Sequence, residues 1–207
     1  MKKLTTVLVI AVCAGLLALP QPSRADVRFG IKAGGNMAKP TGLDAQDPLA
    51  TLKNKVGFNG GVFLALNFGS VVTIQWEALY TMKGATYVAL DDTFTDKLYA
   101  DYIEVPLLLK LKLPLPVVQP FVFGGPTVGF KLSEKLESNG QEVPLTENLL
   151  KNNDYGAIVG AGLNLGKHLI LDVRYSLGLQ KVIAVFEGEQ EPDYKNGVWS
   201  ASVGIVF

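Results

Sequence analysis

The sequence predicts an all-β fold: an eight-stranded antiparallel up-and-down transmembrane β-barrel with short periplasmic turns and four long external loops. Three observations predict it. Apolar residues alternate with small or polar ones through eight segments of about ten residues, the period of a strand and about the length that crosses a bilayer at a tilt. The connections between these segments alternate between short and long, as in barrels with short turns on one side and long loops on the other. Finally, 22 glycines and few long helical patterns suit strands better than a helix bundle.

The chain opens on Met1-Lys2-Lys3, an apolar run from Leu4 to Leu19, then Pro20, Pro22 and Ser23-Arg24-Ala25. A basic start, an apolar core and small residues before a cleavage point read as a secretory signal peptide over residues 1–25, leaving 26–207 as one barrel domain. Pro20 and Pro22 break the run before it reaches the length of a membrane anchor. The only cysteine, Cys13, lies inside it, so the mature chain has no disulfide or thiol chemistry.

The first strand, Val27–Met37, sets Val27, Phe29, Ile31 and Ala33 against Arg28, Gly30, Lys32, Gly34 and Asn36. A long loop over residues 38–55 follows. The second strand, Val56–Leu66, and the third, Val71–Lys83, flank a tight turn at Asn67-Phe68-Gly69-Ser70. In the third, Val72, Ile74, Trp76, Ala78, Tyr80 and Met82 oppose Thr73, Gln75, Glu77, Thr81 and Lys83. After a loop at 84–98, the fourth strand carries Ile103, Val105, Leu107, Leu109, Leu111 and Leu113 on one face. Tyr102, Glu104, Pro106, Lys110 and Lys112 lie on the other, with Leu108 as a misfit. Pro106 has no N–H to give a ladder, so an irregularity is expected there.

The fifth strand, Val118–Leu132, is interrupted by Gly124-Gly125-Pro126; placing Lys131 inward sends Val122, Val128 and Phe130 outward. A loop over 133–154 leads to the sixth strand, where Ala157, Val159, Ala161, Leu163 and Leu165 oppose Gly156, Ile158, Gly160, Gly162 and Asn164. A turn at Gly166-Lys167-His168 precedes the seventh strand, Leu169–Leu179. A loop over 180–196 precedes the eighth, Val198–Phe207, in which Trp199, Ala201, Val203, Ile205 and Phe207 form one apolar face. That strand is expected to pair with the first and so remove both sheet edges.

A soluble barrel with one wet face would also alternate. The unbroken apolar face and the segregation of loops to one end favour lipid. Tyr102 and Tyr155, at strand ends, suit an interfacial aromatic girdle. Charge sorts the same way: 14 of the 19 acidic residues fall in the four long loops. The inward charges Arg28, Lys32, Glu77, Lys83, Glu104, Lys110, Lys112, Asp172 and Arg174 are read as a lumen charge network, because they cannot face hydrocarbon. An eight-stranded barrel is just wide enough for its own side chains, so a packed polar core is expected, not a pore. Without Lys2, Lys3 and Arg24 the 19 basic residues fall to about 16 against 19 acidic ones, so no basic surplus points to nucleic acid.

Chemical motifs are few. The lone histidine, His168, stands at a turn, far from the inward carboxylates, and supports no Ser-His-acid constellation of a lipid hydrolase. Glu77 and Glu104 could form a carboxylate pair for acid–base work, but the nearby lysines favour structural ion pairs. The run Glu187–Asp193 reads as a solvated acidic loop, not a divalent-cation site. No catalytic residue, cofactor or metal is expected, and the chain is read as a non-enzyme.

The segments Gly30–Asn36 (GIKAGGN), Glu77–Ala85 (EALYTMKGA), Asp101–Leu113 (DYIEVPLLLKLKL), Pro120–Phe130 (PFVFGGPTVGF) and Leu171–Leu179 (LDVRYSLGL) resemble the outer membrane protein β-barrel domain family, the PorT-like or "porin family" barrels of Gram-negative bacteria. The resemblance implies location in the outer membrane and contact with its lipid. It also implies insertion by the barrel assembly machinery through a terminal signal, matched here by Trp199, Val203, Ile205 and Phe207. It supplies no catalytic residues. The expected role is structural or surface-interactive, with an external ligand or protein met at the acidic loops. The alternatives are narrow-pore passage of small solutes, an accessory part in protein secretion, and, from a further class, a lipid-modifying enzyme.

Overall fold

The computed structural model describes residues 25–41, 50–53, 55–89, 95–138, 141–143, 152–179 and 195–207. Residues 1–24 of the expected signal peptide and the acidic run Glu187–Asp193 lie outside them. Eight strands are the staves: β1 (Ala25–Thr41), β3 (Lys55–Phe68), β4 (Val72–Ala89), β5 (Thr95–Lys112), β6 (Val118–Ser138), β8 (Asn153–Leu165), β9 (Leu169–Gly178) and β10 (Lys195–Val206). Two short strands, β2 (Ala50–Lys53) and β7 (Gln141–Val143), pair with the outer ends of β4 and β6.

Each stave is antiparallel to its neighbours, in the ring order β1-β3-β4-β5-β6-β8-β9-β10. β10 returns to β1, with Gly30 opposite Val206 and Met37 opposite Trp199, which closes the sheet. Closure matters because an open edge would leave backbone N–H and C=O groups unpaired in lipid, at several kcal/mol each. The turns Gly69 and Gly166 sit at φ +66° and +63°, the left-handed region that lets a two-strand connection reverse tightly.

The period-two pattern fixes which face is which. On β8, Val159 is 60% exposed while its neighbour Ile158 is 1% exposed. The same alternation puts Val62, Leu109, Val122, Phe130, Val173 and Trp199 outward and Lys32, Glu77, Glu104, Asp172 and Arg174 inward. The inward placement of Lys131 and the outward placement of Val122, Val128 and Phe130 hold, through a register shift between Asp101 and Tyr102 where β5 pairs with β6. Aromatic contacts knit the lipid face, with Phe29 and Phe207 at 5.3 Å and Tyr175 and Trp199 at 5.0 Å between ring centroids.

Two expectations are corrected. β4, β5 and β6 continue beyond their expected ends into residues assigned to loops, and β5 and β6 reach 18 and 21 residues. Above the bilayer both faces of a strand meet water, so the polar residues Thr95–Lys97 and Ser133–Ser138 read as loop although their backbones pair. Tyr102 is not a girdle residue: it is 1% exposed inside the lumen, because it shares the inward parity of Glu104. The irregularity expected at Pro106 is present: buried in a central stave and without an N–H to give, it leaves open rungs, with the β4 ladder passing from Leu79–Glu104 to Trp76–Leu107.

The lipid-facing reading carries a direct test. Val173→Arg, at mid-height on β9, is expected to destabilise the barrel by about 2–4 kcal/mol in lipid vesicles, measured by urea titration. Val143→Arg on the rim strand β7 should leave the midpoint unchanged. Equal, small shifts at both positions would refute the placement of the apolar belt.

Candidate functional site

The inward side chains form three tiers. In the middle tier Arg174 of β9 donates to both oxygens of Glu77 on β4, at 2.7 and 3.2 Å. These two staves stand opposite each other in the ring, so this contact spans the barrel's diameter. Lys32 of β1 reaches Asp172 at 2.5 Å and Glu77 at 3.5 Å, and Arg174 Nε adds Asp172 at 3.1 Å. Gln75 donates to Glu77 at 2.5 Å. All four charged side chains are at most 4% exposed, so each carboxylate oxygen is held by protein donors.

In the outer tier Lys83 of β4 bridges Glu104 of β5 at 2.7 Å and Asp154 of β8 at 3.0 Å, again across the lumen. Thr81 donates to Glu104 at 3.0 Å, and the Lys83 ammonium stands 4.9 Å from the Tyr102 ring centroid. Lys131 pairs with Glu134 above. At the rim Lys97 meets Glu137 at 3.1 Å, and Lys55 lies over the Tyr99 ring at 3.3 Å.

The inner tier differs. Around the ionic layers packs an apolar cluster of Phe63, Ala65, Leu108, Phe121, Phe123, Ile158, Ile170 and Val206. The expectation of a purely polar lumen is therefore corrected, and the Leu108 misfit is explained as part of this cluster. Phe121 and Phe123 face Gly162 and Gly160 across the ladder. A Cβ on either glycine would come within 2.5 or 2.4 Å of the ring, so the aromatic plates occupy the space glycine leaves. Below the plates a cavity of about 500 Å³ opens toward the short turns, lined by Arg28, Gln75, Lys110, Lys112, Asn164 and Lys167 among others.

The nine expected network residues thus divide. Lys32, Glu77, Asp172 and Arg174 form the middle layer, and Lys83 and Glu104 the outer one. Arg28 stands apart near the turns, half exposed and paired with Asp26 at 2.6 Å. Lys112 donates to Asn67 at 2.7 Å and has no ion pair among the described residues. Lys110 is 4% exposed, and its ammonium lies 4.6 Å from the Phe121 centroid and 5.6 Å from that of Phe123, with no ion pair among the described residues. Two aromatic faces return roughly 0.5–2 kcal/mol, against an effective penalty of several kcal/mol for burying an ion. Among the described residues Lys110 is thus a buried cation outside the ion pairs, within electrostatic reach of Glu77 and Asp172 but bonded to neither. Asp154, assigned to a loop by its polar surroundings, joins the outer layer; its position two residues beyond Asn152, at even parity with Gly156 and Ile158, carries the signal.

Glu77 and Glu104 are not brought together as an acid–base pair: each is engaged by its own cations in a separate tier. His168 Nδ1 lies 3.0 Å from the Val206 carbonyl at the turn end. Among the described residues no cluster of His, Cys, Asp and Glu has the arrangement of a metal site.

A closed ring of eight staves, apolar outside and ion-paired inside, defines an integral membrane β-barrel of the outer-membrane kind. The chain belongs to the outer membrane protein beta-barrel domain family, which it matches over residues 20–184, and it is an outer-membrane protein. No curated protein matches it. Among solved structures it is similar to the attachment invasion locus protein Ail of Yersinia pestis, in complex with the heparin analogue sucrose octasulfate. The identity is 17% and the TM-score 0.46, over 88% of this chain and 99% of that one. It is similar to Neisserial surface protein A at 15% identity and TM-score 0.47, over 86% and 96% of the two chains. OprG from Pseudomonas aeruginosa gives 13% identity and TM-score 0.49, over 89% and 97%.

Proposed function

We propose that this protein is a non-enzymatic, non-conducting barrel that serves as a rigid base for an interaction surface outside the cell. The observation that carries the reading is the pairing of a sealed lumen with a prolonged rim. Arg174–Glu77 and Lys83–Asp154 cross the lumen at two heights, while β5 and β6 run to 18 and 21 residues. About 9–11 residues suffice to cross the bilayer, so the remainder is sheet built in water. β2 and β7 widen that sheet. Its described face mixes Lys55, Lys97 and Lys135 with Asp96, Glu137 and Glu142, and suits a partner recognised by polar contacts. Separation of Glu77 from Glu104 supports the absence of catalysis.

The competing role is passage of small solutes, and planar-bilayer recording decides between them. Purified protein is expected to raise no steady, reproducible channels. Their appearance would overturn the sealed-lumen reading and install the pore.

A further inference from the structure

We propose that the cavity at the periplasmic end of the lumen is a binding site for a small oxyanion of the phosphate class, held by Lys110 and Lys112. Three features of the cavity converge on an anion. Its lining holds four cations, Arg28, Lys110, Lys112 and Lys167, and one carboxylate, Asp26. That carboxylate is already engaged by Arg28 at 2.6 Å, so among the described residues the lining offers the three lysines no further acid. Lys110 is 4% exposed and reaches the cavity from beneath the Phe121 and Phe123 plates, a position where an ammonium has given up water for two ring faces and, among the described residues, no ion pair. Lys112, two residues along the same inward face, holds its ammonium on Asn67 at 2.7 Å.

The cavity's size and neutral groups narrow the class. About 500 Å³ admits a phosphate or pyrophosphate with room for water, whereas an extended polymer would meet the closed middle tier. Gln119 and Asn164 line the same space and can donate to oxygens of one anion, whereas Thr73 gives its hydroxyl to Asn67 at 2.7 Å and Gln75 donates to Glu77 at 2.5 Å. Lysine ammoniums act as point charges toward phosphate and need no fixed fork geometry. The site is a dead end, because the Arg174–Glu77 contact lies above it. An anion entering from the periplasm would be retained, not passed on. Both a soluble periplasmic phosphate and the phosphate of an inner-leaflet lipid headgroup have this chemistry.

The test uses the full barrel refolded in nonionic detergent micelles, titrated with inorganic pyrophosphate by isothermal calorimetry. The expected result is saturable binding of one anion per barrel, weakened at least about tenfold by Lys110→Gln and by Lys112→Gln, the ratio expected on losing one charge-assisted contact. Lys97→Gln at the rim should leave the affinity unchanged. Heat-modifiable gel migration establishes that each variant is folded. Repeating the titration in micelles doped with phosphatidylglycerol separates the sources. Competition supports a lipid headgroup as the natural occupant, and unchanged affinity supports a soluble anion. Absence of saturable binding, or equal binding by the folded Lys110→Gln barrel, would overturn the site. Channel recordings do not enter this test, so it can fail while the sealed lumen stands.

Discussion

Replacing Glu77 by Gln is expected to destabilise the folded barrel by about 3–5 kcal/mol, the scale for removing one partner from a buried ion pair. The substitution keeps the volume and leaves the charge uncompensated. The middle tier then holds Lys32 and Arg174 against Asp172 alone, with the Lys110 ammonium also within electrostatic reach. Arg174 keeps at most one acceptor across the diameter, the neutral amide oxygen, and meets an N–H donor where the second carboxylate oxygen stood, while Lys32 keeps one carboxylate of two. Lys110→Met, beside that layer, is expected to act in the opposite direction, leaving the urea midpoint unchanged or higher. It removes a buried cation that has aromatic faces and no ion pair among the described residues. The double variant should recover part of the Glu77→Gln loss, a coupling that distant sites would not show. Urea titration in micelles, read by gel migration, measures all three. Similar losses for Glu77→Gln and Lys110→Met would mean that packing, not charge balance, organises the layer.

Parity is what made the fold legible in the sequence. A strand fixes its faces by a period of two, so one confidently placed residue orients a whole stave: Lys131 inward was enough to orient β6 and bury Phe121 and Phe123. The same rule gathered Lys32, Glu77, Asp172 and Arg174 inside. Height along the barrel axis was not legible in this way, because it depends on the stagger between staves, which no single strand encodes. Hence Glu77 and Glu104 read as a possible pair although they lie in different tiers, and Arg28 read as a network member although it sits by the turns. Strand ends failed for another reason. Ser133–Ser138 leaves the lipid while its backbone pairing continues, so the hydrophobic signal stops before the strand does.

The aromatic plates invite a second large effect. Phe123→Ala is expected to cost about 3–5 kcal/mol, as for other buried aromatic truncations. Phe123 is 5% exposed, tilts against Phe121 at 5.8 Å between centroids, and lies 5.2 Å from the Arg174 guanidinium carbon. Its strand partner is Gly160, which has no side chain to refill the space, so the site relaxes poorly and the cavity below extends upward. Stability and sealing should nevertheless separate. Arg174 still reaches Glu77 across the diameter in this variant, so planar bilayers are expected to stay silent despite the lower urea midpoint. Combining Phe123→Ala with Glu77→Ala removes the plate and the crossing contact together, and here steady conductance should first appear in barrels that still migrate as folded. Conductance from Phe123→Ala alone would make the aromatic plate the seal and the ion pair a support for it.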